Sequence, residues 1–264
     1  MSKSILKSLA VVGALAASAG AQASTINIGG VLIDPGFQIE VASIYENPVF
    51  AVGQTLSGFG EVTQINGSAN FCAGGLGTCE LTYVFGGYTV TSITPTSVTF
   101  SGGYVNFYVG TGAANDFNPY ASASSAADLA AASNGTEWLN LVGHDNGGFT
   151  LEGTGLNIGT GNDLGFGGGL LDVDLSGAGV ANVHFDTDTQ PDLIGGDADF
   201  KLDSSFGTGI DPHPAECAIE ILTTCLPGSA TLRGFSVPEP ASLALIGAGL
   251  FAAGVVSRRR KQAK

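Results

Sequence analysis

The sequence predicts an all-β protein: a jelly-roll-like β-sandwich with one short helix, followed by a C-terminal transmembrane helix. Three observations carry this expectation. Short runs rich in Val, Ile, Thr, Tyr and Phe recur roughly every 8–12 residues, the spacing of sandwich strands. Glycine accounts for 41 of 264 residues and separates most of these runs, so turn residues are never far away. An uncharged apolar run near the end of the chain leads into a block of cations.

Taken in order, residues 1–23 read as a secretory signal peptide. Lys3 and Lys7 give the positive start and Leu9 to Ala17 the apolar stretch. Ala21-Gln22-Ala23 is a small-x-small cleavage site, which puts the mature start near Ser24. Residues 24–237 form the body. Strands are expected at 26–33, 48–53, 58–65, 80–85, 88–93, 97–101, 104–109, 149–158, 169–175, 179–185 and 229–236. Asn66-Gly67 reads as a turn, Gly86-Gly87 as a break between strands, and Gly102-Gly103 as a two-residue hairpin loop. Ser122 to Ala132, rich in alanine, is the helical segment. Trp138 and the six tyrosines fall mostly on alternating strands, where aromatics belong to a core rather than to a sugar-binding platform.

Charge is unevenly spread. The chain holds 23 acids and nine bases. Seven of the bases (Lys3, Lys7, Arg258, Arg259, Arg260, Lys261 and Lys264) lie in the two ends, which leaves the body Lys201 and Arg233 against 22 acids, a net of −20. Such a body repels phosphate, which excludes nucleic acid as a partner. Nine of its acids are aspartates between Asp172 and Asp211, and Asp-x-Asp recurs at Asp172/Asp174, Asp186/Asp188 and Asp197/Asp199. On a strand, residues i and i+2 share a face; in a loop, two such carboxylates converge on a hard cation such as calcium. The ordinary outcome of this pattern is a solvated acidic face that keeps the protein soluble. A calcium site at those six residues is the sharper alternative.

Four cysteines, Cys72, Cys79, Cys217 and Cys225, allow three pairings. The sequence-local one, 72–79 with 217–225, is expected, and the spacings do not fit zinc knuckles. The histidines, His144, His184 and His213, stand apart from any ordered catalytic set. No G-x-S-x-G elbow or H-E-x-x-H helix is present, so the body reads as non-enzymatic.

Residues 238–264 form the last segment. Ala241 to Ser257 is uncharged, and as a helix would be about 25 Å long, at the short end for a bilayer. Arg258, Arg259, Arg260 and Lys261 stop it on the cytoplasmic side and can snorkel to extend its reach. Directly before it, Pro238-Glu239-Pro240 holds the backbone extended at the outer interface. Pro-Glu-Pro, the apolar run and the basic cluster, in this order, resemble the PEP-CTERM sorting signal of Gram-negative bacteria. That resemblance implies an exosortase, a cysteine-dependent membrane transpeptidase, as the partner that recognises Pro-Glu-Pro and removes the tail. Tyr45-Glu46-Asn47-Pro48, Gly53 to Gly58, Gly60 to Asn66, Glu80 to Phe85 and Gly196 to Phe200 are also similar to segments of secreted PEP-CTERM ectodomains, some of them linked to flocculation.

The expected protein is therefore exported. It is held in the inner membrane until processing and then released to the cell surface or extracellular matrix. Its expected role is structural or adhesive, in biofilm, floc or exopolysaccharide. The alternative is a carbohydrate-binding module, calcium-dependent through the aspartates, with extracellular polysaccharide as partner.

Overall fold

The computed structural model describes residues 25–34, 37–192, 194–207 and 225–237. The signal peptide, the Pro238–Pro240 motif, the 241–257 segment, the basic cluster, His213 and Cys217 lie outside the described residues. Among the described residues there are eleven strands: β1 (Ile26–Ile28), β2 (Val31–Ile33), β3 (Gln38–Glu46), β4 (Thr55–Ile65), β5 (Cys79–Thr94), β6 (Ser97–Thr111), β7 (Thr136–Gly143), β8 (Leu151–Leu156), β9 (Leu164–Val173), β10 (Phe200–Phe206) and β11 (Leu226–Gly234). Two helices, α1 (Ser125–Ala132) and the single-turn α2 (Asn182–Phe185), and a 3₁₀ turn at Gly112–Ala114 complete the described elements.

The all-β sandwich expectation holds, with a connectivity of its own. Strands β3 to β7 pair in chain order as an antiparallel meander, where a jelly roll would interleave distant strands. β9 then pairs with β7, β8 and β10, β10 with β11, and β11 with β3. The hydrogen-bonded ladder thus returns to its start. Both edges of the sandwich are sealed, which removes the unpaired strand edges through which sheets aggregate.

The bend that permits closure lies where the sequence suggested a hairpin. β5 and β6 are each continuous through their glycine pairs, so neither Gly86-Gly87 nor Gly102-Gly103 ends a strand. The actual turn is Pro95-Thr96, where Thr94 Oγ1 accepts from the Thr96 and Ser97 N–H groups. The two glycine pairs face each other, with Gly86 opposite Tyr104 and Tyr88 opposite Gly102. Gly87, Gly102 and Gly103 have φ of +73°, +70° and +95°. At this level β6 changes partner: Ser97–Phe100 pair with β8, Tyr104–Val109 with β7. A long strand that turns the corner between two layers needs such a kink, and glycine permits it.

Other expectations were met or revised for local reasons. Asn66 (φ +52°) and Gly67 (φ +74°) form the predicted turn after β4, and Asn66 Oδ1 accepts from Gln38 N. Residues 48–53 form a loop, not a strand, because Asn47 turns the chain after β3. Its Oδ1 accepts from Ser57 N and Oγ, and its Nδ2 donates to Thr55 O. Residues 179–185 end in α2, not a strand. Asn182 holds that turn by accepting from Asn140 N and donating to Asp174 O. β3, β7 and β10 lie outside the expected strand set.

One large apolar cluster fills the interior. Its densest part joins Phe37, Trp138, Phe185 and Phe200, with ring centroids 4.7–6.0 Å apart. Trp138 is fully buried and donates Nε1–H to Ile28 O, so it belongs to the core. The β1–β2 hairpin is pinned here. α1 lies on the opposite side of the sheet, beside the smaller cluster of Tyr45, Phe59, Phe117 and Ala132. Ser124 caps its start through Ala127 N, and Thr82 Oγ1 donates to Ala132 O near its end.

A Cβ on Gly103 would sit 2.1 Å from the Tyr88 ring, whereas one on Gly75, also at positive φ, meets nothing within 4 Å. Gly103→Ala is therefore expected to cost about 3–4 kcal/mol in urea unfolding, combining backbone strain with overpacking, and Gly75→Ala about 1–2 kcal/mol. Equal losses in the two variants would contradict a packed corner.

Candidate functional site

The aspartate-rich segment wraps the end of β9 and the chain that follows it. The sequence pairs do not stay together. Asp172 and Asp174 flank Val173 and diverge: Asp172 turns to His144, while Asp174 accepts from Ser176 N and Oγ at 2.9 and 2.6 Å. Those bonds to Ser176 hold the Asp174 carboxyl below its usual range. Asp197 is exposed and takes no part in the grouping below. Asp186, Asp188 and Asp199 do converge, offering oxygens within 4.8 Å of one another. Among the described residues they are the acids with the spacing a cation would need. Burial, then the neighbouring charges of Asp199, Asp188 and Asp172, raise Asp186 above the ordinary carboxylate range.

Asp199 has structural work of its own. It is 2% exposed, and its Oδ2 accepts from Val173 N at 2.8 Å. Its Oδ1 accepts from Asp188 N at 2.8 Å and from Thr187 N. One carboxylate thus ties the 186–188 turn to the end of β9. This satisfies three backbone donors, of which the buried Val173 N–H is the costliest to leave unpaired.

His144 is held between two acids. Both oxygens of Asp172 lie 2.9 Å from its Nδ1, and Asp192 Oδ2 lies 3.4 Å from its Nε2. The ring is 7% exposed. With a carboxylate at each nitrogen, His144 acts as a clamp between β9 and the 190–196 segment. His184 lies on α2, half-buried. The partners of His144, 28 and 48 residues away in sequence, could not be named from local spacing.

Two glutamates form a further feature that the sequence reading passed over. Glu46 closes β3 and lines the interior. Burial and the charge of Asp163 push its carboxyl up to about 8. Glu80, buried on β5, is pushed up to about 7 by burial, against the opposing bond that its Oε2 accepts from Phe117 N at 2.8 Å. The signal for Glu46 was present: it follows the inward-facing Ile44 by two positions.

Cys72 and Cys79 form a disulfide, with Cα atoms 5.7 Å apart, that closes the loop before β5. Cys225 is also disulfide-bonded, and among the described residues no cysteine is free.

For His144, burial alone would lower the pKa, but the Asp172 hydrogen bond and the charges of Asp172 and Asp192 outweigh it and raise it above 6.5. The clamp's stabilisation is then complete below pH 6.5 and fades as pH rises through the folded value. His144→Gln is expected to lose about 2 kcal/mol in urea unfolding at pH 5.5, with the deficit shrinking by pH 8.5. A deficit that grew with pH would contradict the clamp.

Comparison with known proteins places the C-terminal segment. Residues 236–261 match the PEP-CTERM protein-sorting motif. No curated protein and no solved structure matches the chain. The match covers Pro238-Glu239-Pro240, the apolar run and the basic cluster, the three parts that the sequence presents in order. It implies export, membrane anchoring before exosortase cleavage, and a surface or extracellular location afterwards. By this match the chain carries a PEP-CTERM protein-sorting motif at residues 236–261.

Proposed function

We propose that the protein is a non-enzymatic component of the cell surface or extracellular polysaccharide matrix, with a structural or adhesive role in biofilm or floc. The observation that carries this reading is the sorting motif at 236–261 joined to an acidic, edge-sealed β body. A body with 22 acids and two bases stays hydrated and resists self-association, and sealed edges suit a protein that works outside the cell without chaperones. Both ring nitrogens of His144 face carboxylates, and the sequence carries no G-x-S-x-G or H-E-x-x-H motif, which supports a role without turnover.

The grouping of Asp186, Asp188 and Asp199 favours a second reading, a calcium-dependent carbohydrate-binding module. Hard oxygen donors of this kind suit calcium, and a neutral polysaccharide is not repelled by the acidic surface.

Fractionation of the producing cells tests both readings. The wild-type protein is expected in the polysaccharide matrix with its tail removed, and Glu239→Ala is expected to stay uncleaved in the inner membrane. Retention unaffected by EDTA supports the structural role; release by EDTA, reversed by calcium but not magnesium, supports the second reading. A Glu239→Ala protein with unchanged mass and location would contradict exosortase sorting.

A further inference from the structure

The outer face of β8, β9, β10 and β11 departs from the polar surface that an exposed sheet face normally carries. Leu156, Leu164 and Phe166 are 62, 52 and 72% exposed. Strand register sets Leu156 opposite Leu164 and Thr154 opposite Phe166, so the three apolar side chains are neighbours on one face. The inner side of the same strands is taken: a Cβ on Gly165 would come within 2.9 Å of the Phe206 ring, and one on Gly153 within 3.5 Å. Towards β10 and β11 the outer face is low. Ser205 is opposite Phe166 and Ser229 opposite Ser205, with the two hydroxyls 2.9 Å apart. One half of the face is therefore bulky and apolar, the other small and hydroxyl-bearing. Apolar side chains gathered in this way mark contact surfaces, whereas single exposed ones need no explanation. Every strand of the nine-stranded sheet is paired on both sides, so association by strand addition is closed and a face is the route left.

Charge singles out the same face. The body holds 22 acids and two bases, and both bases stand here: Lys201 is opposite Arg233 on β11 and opposite Leu170 on β9. With the outward Glu152 and Asp203 they make two cations and two carboxylates, which cancel. Asp172, at the end of β9 away from Phe166, is held by His144. A second copy of this acidic body meets less repulsion on these four strands than on its average surface.

Symmetry makes the face complementary to itself. A two-fold axis parallel to the strands, between β9 and β10, brings β8 over the partner's β11 and β9 over the partner's β10. Phe166 then lies over the partner's Ser205, bulk against a gap, and Glu152 faces the strand that carries the partner's Arg233. Both contacts recur on the other side of the axis. Sheets packed face to face sit about 10 Å apart, a spacing that large residues from one face and small ones from the other fill between them.

We propose that the outer face of β8–β11 is a self-association surface through which two copies of the exported protein pair, Phe166 of each against the partner's Ser205. Area sets the strength. Four strands about 4.8 Å apart and about seven residues long cover about 450 Å² per copy, well under the roughly 800 Å² per partner of a stable complex. The pair is therefore weak, formed where copies are crowded at a surface and lost on dilution. Salt sets the direction of its control. Two acidic bodies repel over a range that shrinks to about 8 Å at physiological ionic strength, so pairing tightens as salt rises, opposite to a contact made by ion pairs alone. The proposal gives the adhesive reading a physical contact and rests on that reading only for its biological use; pairing of the purified protein and retention in the matrix fail independently.

Sedimentation equilibrium of the exported protein, from about 10 μM to about 1 mM, tests it. At about 150 mM NaCl a monomer–dimer equilibrium is expected with Kd on the order of 0.1–1 mM, and at about 20 mM NaCl a several-fold weaker one. Phe166→Ser is expected to weaken pairing at least about tenfold. Ser205→Gln, which fills the gap that the partner's Phe166 enters and leaves Phe166 itself in place, is expected to do the same. Val183→Ser, which removes a side chain 70% exposed on α2, is expected to change nothing. A protein that stays monomeric to 1 mM overturns the proposal, as does a dimer that Phe166→Ser and Ser205→Gln leave intact or one that salt only weakens. So does a monomer whose Phe166→Ser variant no longer binds the producing cells' polysaccharide, which would assign the face to the glycan.

Discussion

The glycine corner between β5 and β6 is the constraint on which the rest of this structure depends. Two strands of 16 and 15 residues are far too long to serve one flat sheet, and they do not. At Gly86-Gly87 and Gly102-Gly103 both bend at the same level; β5 keeps β4 as partner through the bend, while β6 pairs with β7 on one side of it and, through Ser97–Phe100, with β8 on the other. The bend carries the sheet from one layer to the other. With one edge turned in this way, β9 can pair with β10, and the β10–β11–β3 sequence completes the ladder. Tyr88, packed on Gly103, fills the inside of the bend. Geometry at one corner thus shapes closure and interior together.

The acids divide into groups with different physical tasks. Some are braces: Asp199 gathers three N–H donors, Asp163 accepts from Thr160 N, and Asp174 holds the turn at Ser176. Asp172 and Asp192 are fixed on His144. Burial pushes Glu46 up to about 8 and Glu80 up to about 7, so near pH 7 neither contributes a full formal charge. The surface field that keeps the exported body apart from its copies therefore comes from the remaining exposed carboxylates. It is smaller than the count of −20 suggests, yet two cations, both paired, do little to offset it.

Local chemistry was legible in the sequence, and long-range partnership was not. The Asn66-Gly67 turn, the Ser124-capped helix and the Cys72–Cys79 bridge each depend on residues within a dozen positions, and each was readable. Gly102-Gly103 misled because the residue type that closes a hairpin also kinks a continuous strand; only the facing pair at Gly86-Gly87 separates the two cases. β10 went unread because Lys201, Asp203, Ser204 and Ser205 give it little apolar signal, and it is a strand through pairing on both sides. Among the six aspartates considered for calcium, the grouping of Asp186 and Asp188 with Asp199 depends on a turn that folds back across 11 residues. Spacing within Asp-x-Asp pairs could not announce that.

Hydrogen–deuterium exchange on the exported protein tests the closed ladder most directly. Closure predicts that amides of β10 and β11 are protected to the same degree as those in the middle of β5 and β6, since every strand of the nine-stranded sheet has partners on both sides. Fast exchange along one face of β10 or β11, as at the free edge of an open sheet, would contradict it.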